Sequence, residues 1–239
     1  TKEKAMPQKS SMISFNIFVI CILFSTLVSE IGCKEAKVDF NKNQKYIFEI
    51  FTSRRSVRNF MPDPIPEDHI IRILDIARTA PTAGNQQPWK FMVIQDRKKI
   101  DRLKAECIDL SVERARRRGE SDEEKLNLFR QRMEKSYNGY CSAPVIIIVL
   151  TDSKSKYPSY NEKDGVLAAG YLLIAARSLG YGSVFTTDSF PKEMVKKVFD
   201  IPEQFQQICV IPIGVPENWP ESTDKKSLDE FIVFENFPE

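Results

Sequence analysis

The 239 residues suffice for one large domain or two small ones, and an ordinary apolar fraction of 42% predicts a well-filled core. The 35 basic and 33 acidic side chains leave a formal net charge of +2, which argues against a dedicated nucleic-acid-binding protein. No internal repeat, low-complexity tract or interior linker divides the chain, so we favour a single domain.

The N-terminal region predicts a targeting or membrane segment. A polar tail, residues 1–12, precedes an apolar segment at 13–31 that is short for a membrane span and long for a surface loop. We interpret 13–31 as a signal peptide or membrane anchor, with tethering or export if it is genuine and a cytoplasmic protein otherwise. Cys33 is a weak candidate for lipidation because Glu30 stands where such signals carry an apolar residue. Residues 32–44 are predicted to be a polar linker.

The segment Ser53–Phe60, here called the arginine segment, follows a short predicted apolar helix. Arg54, Arg55 and Arg58 lie within five residues, with the Ser56 hydroxyl among them. Guanidinium groups bind phosphate through two parallel hydrogen bonds, so this cluster is typical of a phosphate site. The alternative is a set of cations at the negative end of a helix dipole.

The next stretch predicts a helix that leads into a polar turn. Pro66 opens the helix, its apolar residues recur at helical spacing, and His69 is expected to be solvated. The stretch Ala80–Phe91, here called the amide loop, then carries three consecutive side-chain amides at 85–87. These amides both donate and accept hydrogen bonds, which suits the edge of a flat heterocycle. A surface turn whose amides meet water is the alternative.

The remaining predicted elements alternate between strands and helices. Val145–Leu150 is expected to be a strand buried on both faces at the middle of a sheet. Asp164 is expected to cap a helix that reaches about Leu179. The other expected elements are a strand at Phe91–Ile94, two helices in Arg97–Ser136 joined near Gly119–Asp122, a strand at Ser183–Thr187, a helix from Pro191 to Phe199 and a strand at Gln207–Ile213.

Several kinds of site are disfavoured. Five cysteines without a CxxC pair fit neither a disulfide framework nor a zinc site, and one histidine gives little support to Ser-His or Cys-His catalysis. No GxGxxG stands between a strand and a helix, which disfavours a Rossmann domain. We therefore predict no metal site and no cysteine nucleophile.

Four separated segments resemble the nitroreductase family of FMN-dependent enzymes: RRSVRNF, APTAGNQQPWKF, DGVLAAGYLLIAARSLGYGSVFTT and ICVIPIGVP. The resemblance covers about residues 45–230 in the family's order. It implies an α+β three-layer sandwich with a central, mainly antiparallel sheet flanked by helices, and an intertwined homodimer with two flavins between its subunits. The domain would be 45–239, with 98–140 as a lid-like helical insert.

The resemblance also implies the roles of particular residues. The phosphate and ribityl chain of FMN would be held by Arg54, Arg55 and Ser56, and the N1 and O2 side of the ring by Arg58. Lys225 stands where the family usually has an arginine, so it keeps the charge without the guanidinium fork. The other implied contacts are Pro81, Thr82 and Ala83 beside the ring, Asn85 at its edge, Thr186 and Thr187 near N5, and Gly214 in the Gly-Val-Pro turn.

The implied reaction has two halves in one pocket. NAD(P)H delivers a hydride to FMN, and a nitroaromatic, quinone or similar small electron acceptor then takes its place. The alternative within the family is reductive dehalogenation, where a Glu, a Tyr and a Lys of the lid clamp the substrate. Lys135 and Tyr137 match that set poorly. A membrane-tethered, non-catalytic FMN-binding protein and an α/β domain without a ligand are the remaining alternatives.

Overall fold

The computed structural model describes residues 41–237. The predicted polar tail at 1–12, the apolar segment at 13–31 and most of the linker lie outside the described residues. The chain divides into two compact units, Thr1–Lys45 and Tyr46–Glu239, and the first is described only at 41–45. Within residues 41–237, no helix combines the length and apolarity that crossing a membrane requires.

The described chain contains six α-helices and four strands. Three short 3₁₀ turns lie at Ala83–Asn85, Pro158–Tyr160 and Leu228–Glu230. The helices are α1 (Lys42–Ser53), α2 (Glu67–Ala77), α3 (Arg97–Arg117), α4 (Glu123–Tyr140), α5 (Asn161–Ser178) and α6 (Lys192–Phe199). The strands are β1 (Trp89–Ile94), β2 (Val145–Asp152), β3 (Gly182–Ser183) and β4 (Phe205–Gly214).

Helix α1 begins inside the stretch predicted to be linker. The Gln44 backbone N–H donates to the Asn41 side chain at 3.0 Å, and the Asn41 N–H donates to the Gln44 side chain at 2.9 Å. This reciprocal capping box satisfies two amide groups that a helix start otherwise leaves unpaired. The prediction of linker up to residue 44 is therefore wrong for its last three residues.

The four strands form one antiparallel sheet in the order β1-β2-β4-β3. Strand β2 lies in the middle and is buried from Val145 to Thr151, which confirms the prediction from its uninterrupted apolar run. The predicted strand at Ser183–Thr187 is wrong beyond Ser183, because pairing with β4 stops there. Thr186 makes only an isolated bridge to Val210.

Side chains of β2 alternate between two cores, one on each face of the sheet. Ile146, Ile148 and Leu150 pack into one core with α3 and α6, while Ile147 and Val149 pack into the other with α2 and α5. Each fully buried side chain of this size contributes about 1.5–3 kcal/mol of hydrophobic free energy. The α+β sandwich with a central antiparallel sheet between helical layers is thereby confirmed.

The stretch 97–140 contains the two helices that were predicted for it. The hairpin turns at Gly119, where φ is +99°, and the Asp122 carboxylate accepts the Glu124 and Lys125 backbone N–H groups at the start of α4. Helix α3 buries five side chains: Ile100, Leu103, Cys107, Ile108 and Val112. It is therefore part of the outer layer of the sandwich and of its core.

Candidate functional site

Two neighbouring stretches hold the backbone of the arginine segment. The Val57 N–H donates to the Ser183 carbonyl at 3.1 Å, and the Met61 N–H donates to the Val215 carbonyl at 2.8 Å. Gly182 permits this approach, since a Cβ there would lie 2.6 Å from Val57 Cγ2. The segment thus lies along β3 on one side and along the turn after Gly214 on the other.

The arginines on this backbone have no carboxylate partner. Among the ion pairs of residues 41–237, none involves Arg54, Arg55 or Arg58. Arg55 Nη1 donates to the Thr52 carbonyl at 2.7 Å, and Arg58 Nη1 donates to the Ser56 carbonyl at 3.2 Å, which leaves most of their N–H groups unused. A cavity of about 220 Å³ is lined by Ser56, Arg58, Asn59, Glu217, Asn218 and Pro220.

A fourth arginine joins this region from helix α5. Arg177 Nε donates to Ser53 Oγ at 3.0 Å, and its guanidinium lies 4.4 Å from the centroid of the Trp219 ring. Its place in the last turn of α5 suits the negative end of the helix dipole. The sequence analysis did not single out Arg177, although it is the one cation in the otherwise apolar stretch 165–178.

The amide loop has a strained backbone. Gly84 and Asn85 both have φ of +55°, and Gln87 has φ of +46°. Side chains rarely adopt this left-handed region, so surrounding contacts must fix the turn. The Asn85 side-chain oxygen accepts a hydrogen bond from Gln87 Nε2 at 3.0 Å, and Asn85 remains exposed to solvent.

Those contacts come from a buried carboxylate in α5. Asp164 Oδ1 accepts the Ala83 N–H at 3.2 Å, and Asp164 Oδ2 accepts from Gln86 Nε2 at 2.7 Å. The prediction that Asp164 caps α5 is therefore wrong: the helix begins three residues earlier, at Asn161, and Asp164 faces the loop at 3% exposure. Its position just before a run of small apolar residues was the only signal of such a role.

The Gln86 side chain also makes hydrogen bonds with the segment that contains Tyr157. Its Nε2 donates to the Tyr157 carbonyl at 3.1 Å, and its Oε1 accepts the Tyr157 N–H at 2.7 Å. Of the three amides proposed to face a ligand, Gln86 is thus committed to the fold. Pro81 and Asn85 are exposed at the loop surface, with Thr82 and Ala83 half-buried beside them.

Two predicted site residues serve the fold in this structure. Thr186 directs its N–H, at 3.1 Å, and its hydroxyl, at 2.6 Å, to the Val210 carbonyl, so neither donor is free for a flavin ring. Gly214 is buried, and a Cβ there would lie 2.7 Å from Pro144 Cδ. Thr187 is exposed next to Thr186.

Lys225 and His69 lie apart from these contacts. Lys225 is exposed, and its Nζ donates to Thr223 Oγ1 at 3.4 Å. His69 is half-buried, and its Nδ1 lies 2.7 Å from the Tyr181 hydroxyl. The expectation of a solvated His69 is therefore wrong, because α2 packs this residue against the chain beyond α5.

The two regions lie at opposite ends of α5. Arg177, in its last turn, contacts the residue before Arg54, and Asp164, in its first turn, contacts the amide loop. Thirteen residues separate these anchors in sequence, which at 1.5 Å of rise per residue is about 20 Å. In one copy of the chain, the arginine segment and the amide loop are therefore anchored at points about 20 Å apart along α5.

Buried thiols contribute no reactive group. Burial raises the pKa of Cys107 and of Cys141 to about 12, and it raises that of Cys209 as well. Burial also raises the pKa of Tyr137, whose hydroxyl donates to the Ser189 carbonyl beside the Phe190 ring. None of these groups is poised as a nucleophile at neutral pH, because the reactive form is the ionised one.

A larger groove lies elsewhere. It has a volume of about 750 Å³ between α3 and α4, and it shares no residue with the arginine segment or the amide loop. Its lining is Ser111, Arg114, Ala115, Arg118, Gly119, Glu120, Lys125, Leu126, Leu128, Phe129 and Arg132.

Known proteins resemble this chain over most of its length. A Methanothermobacter thermautotrophicus protein named as an NADH dehydrogenase/NAD(P)H nitroreductase is 29% identical over 192 residues, 78% of this chain and 86% of that protein. An iodotyrosine deiodinase of Nematostella vectensis is 27% identical over 222 residues, 88% of this chain and 80% of that protein. Among solved structures, an oxidised iodotyrosine deiodinase bound to FMN and 3-iodo-L-tyrosine superposes with a TM-score of 0.64 at 24% identity, covering 80% of this chain and 99% of that one.

The model that represents the nitroreductase family matches residues 51–215, well over half of the 239 residues. That range includes the arginine segment from Ser53 onward, the amide loop, the whole sheet and helix α5. On this match and on the fold, the chain belongs to the nitroreductase family.

Proposed function

We propose that this protein is an FMN-dependent oxidoreductase that uses NAD(P)H to reduce a nitroaromatic, a quinone or a similar electron-poor acceptor. The observation that carries the proposal is the set of three arginines, Arg54, Arg55 and Arg58, on an extended backbone with no carboxylate partner among residues 41–237. Unpaired cations held in place are what a dianionic phosphate requires.

The chain's donors fit FMN if two copies share each site. In such a site, Arg54, Arg55 and Ser56 of one copy hold the phosphate and ribityl chain, and Asn85 of the other copy meets the ring edge. The separation of about 20 Å along α5 supports this sharing, because the two anchors lie far apart in one copy. Thr186 is left out of the proposed contacts, whereas Thr187 and Lys225, which are exposed, stay in them.

The exposed apolar surface supports a homodimer. Helix α1 has no buried residue, and the exposed fractions of Tyr46, Ile47 and Phe51 are 56%, 51% and 58%. The C-terminal segment likewise exposes Phe234 and Phe237, each at 84%. Exposed apolar side chains of this size favour an interface, and we propose that a second copy of the chain covers them.

FMN, when bound, supplies the hydride chemistry between NAD(P)H and the acceptor. The chain's own part is to bind and to orient. The Arg58 guanidinium places positive charge where the reduced ring becomes anionic, and Asp164 with Gln86 keeps the amide loop in one shape. No side chain has to donate or remove a proton in this scheme. The relative named for NAD(P)H and the solved structure with FMN agree with this proposal.

A second candidate is reductive dehalogenation of a halogenated aromatic. Its support is the identity of 27% over 222 residues to an iodotyrosine deiodinase. Against it stands Tyr137, the tyrosine that falls nearest to Lys135 in the insert. Its ring is buried at 5% exposure and its hydroxyl is bonded to the chain, so it is not free to clamp a substrate.

The deciding experiment is an anaerobic titration of the purified full-length protein followed by its visible spectrum. We expect a yellow protein whose flavin absorbance bleaches with NADH or NADPH and returns when a quinone or nitroaromatic is added. Bound flavin that neither nucleotide reduces would favour the non-catalytic FMN-binding alternative. A colourless protein that stays colourless with excess FMN would sink the proposal. Quenching of flavin fluorescence by 3-iodotyrosine would instead favour the second candidate.

A further inference from the structure

The segment 153–163, between β2 and the body of α5, lies directly against the amide loop. The Gln86 side chain makes two hydrogen bonds with the backbone of Tyr157. Its Nε2 donates to the Tyr157 carbonyl at 3.1 Å, and its Oε1 accepts from the Tyr157 N–H at 2.7 Å. Gln86 is itself held by Asp164 at 2.7 Å. Gln86 of the amide loop and Asp164 of α5 thus fix the backbone of Tyr157, although Tyr157 lies on the surface of this copy.

The ring of Tyr157 covers the apex of the loop. A Cβ on Gly84 would lie 2.6 Å from Tyr157 Cε2, so only a residue without a side chain lets the ring approach so closely. The ring is therefore next to Asn85, the residue assigned to the flavin edge, and 38% of Tyr157 stays exposed. An exposed ring held this firmly offers a flat face at little cost in conformational entropy.

A lysine ammonium group lies near the ring of each of the two tyrosines in this segment. Lys156 Nζ lies 5.1 Å from the centroid of the Tyr157 ring, and Lys163 Nζ lies 5.3 Å from that of the Tyr160 ring. Neither lysine has an ion pair among the residues that the structure describes. The exposed acid closest in sequence is Glu162.

We propose that this pair of tyrosine–lysine contacts selects the electron acceptor, favouring flat aromatic molecules that carry a carboxylate or another anionic group. The inference rests on the proposed function and refines it. A phenol ring stacks on an electron-poor ring, and an ammonium group within a few ångströms pairs with the anionic substituent. Neither lysine is among the residues assigned to FMN, and the described contact of each is with its own tyrosine ring, so their loss should act on the acceptor.

The test compares two acceptors of the same shape, 4-nitrobenzoate and neutral 4-nitrobenzamide, on the FMN-loaded full-length protein. The double variant Lys156→Gln and Lys163→Gln should lower the ratio of kcat/KM for the anion to that for the amide about five-fold, as two exposed charge contacts allow. Lys154→Gln is the matched control, because this exposed lysine of the same segment contacts neither ring, and it should keep the wild-type ratio. Tyr157→Leu should raise KM for both acceptors.

Two readouts separate the inference from the function on which it rests. A protein that retains FMN and is bleached by NAD(P)H, but whose ratio does not change in the double lysine variant, overturns the inference and leaves the function standing. A protein without flavin overturns both. If turnover is too slow to measure, the same ratio is taken from dissociation constants, read from the shift in flavin absorbance with benzoate and with benzamide.

Discussion

The arginine segment and the amide loop, at the two ends of α5, are held in place by different parts of the chain. In the arginine segment the backbone makes the contacts, through Val57 and through Met61 directly after the segment, and the arginines have no carboxylate partner among residues 41–237. In the amide loop the side chains make the contacts, because Gln86 and Asp164 hold a backbone that has left-handed residues. The first region leaves its cations without a carboxylate partner among residues 41–237, and the second uses polar groups to maintain a shape.

This difference predicts that substitutions in the two regions have different effects on ligand binding and on stability. Loss of a side chain in the arginine segment removes binding and spares the fold, since those side chains support little else. Loss of a side chain in the amide loop network leaves a buried polar group unpaired, which lowers the free energy of unfolding before it affects a ligand. The predictions below test this contrast from the largest effect to the smallest.

Arg54→Ala together with Arg55→Ala should release FMN. Two hydrogen bonds from charged groups are worth about 3–6 kcal/mol, or roughly 10²–10⁴-fold in Kd. Flavin retained through gel filtration and the Kd from flavin fluorescence measure the effect. Arg102→Ala is the control, because Arg102 is an exposed cation of α3 outside both regions. Unchanged flavin content in the double variant would contradict the phosphate assignment.

Asp164→Asn should destabilise the fold. The new amide N–H would face either the Ala83 N–H or Gln86 Nε2, so one donor of the buried network would lose its acceptor. We expect the free energy of unfolding to fall by about 2–3 kcal/mol in urea denaturation. Glu162→Gln, an exposed change in the same first turn of α5, is the matched control. Equal stability of the two variants would show that the carboxylate does not hold the loop.

Gly182→Ala should act on the arginine segment through packing. The new methyl group would lie 2.6 Å from Val57 Cγ2 and 2.8 Å from Pro216 Cγ, so the segment must move away from β3. Overpacking of this kind costs about 1–3 kcal/mol of unfolding free energy. Flavin affinity should fall with it, which a joint measurement of melting temperature and Kd checks. A stable variant with weakened FMN binding would sharpen the contrast further.

A rise in pH should weaken the core between the sheet and helices α3 and α6, which lies outside both regions. The pKa of Cys107 and of Cys141 is about 12 in the fold, against an ordinary value of 9.0. Above pH 9 the unfolded chain loses these protons and the folded chain keeps them, so stability is complete below pH 9 and falls as pH rises toward 12. At pH 10 the loss is about 1.4 kcal/mol per thiol. Guanidinium denaturation at pH 8 and pH 10 measures it.

A variant that lacks one of these two thiols separates this effect from other titrations. Cys141→Ala should lose stability at both pH values by a similar amount, because the cavity cost does not depend on pH. Its decline between pH 8 and pH 10 should be smaller than that of the wild type by about the contribution of one thiol. An identical decline would mean that Cys141 does not titrate on unfolding.

Local patterns were enough for most of the fold. The apolar run at Val145–Leu150 has one stable placement, in the middle of a sheet, and the helical spacing from Ile70 to Ala77 buries one face of α2. Strand ends were harder. The segment after Ser183 has the composition of a strand, yet its regular pairing with β4 ends at Ser183. Whether a partner strand is available depends on the tertiary fold, which the composition of the segment does not reveal.

The sequence by itself determined which residues carry charge and hydrogen-bonding capacity. The order of the four segments that resemble the nitroreductase family was enough to indicate the family. Only the tertiary structure decided where those groups point. It turned Asp164 from a helix cap into the anchor of the amide loop, committed Thr186 to Val210 and brought Arg177 beside Ser53. The physical reason is that each of these contacts joins residues more than twenty positions apart, where packing of the sheet and α5 sets the distance and no local preference can.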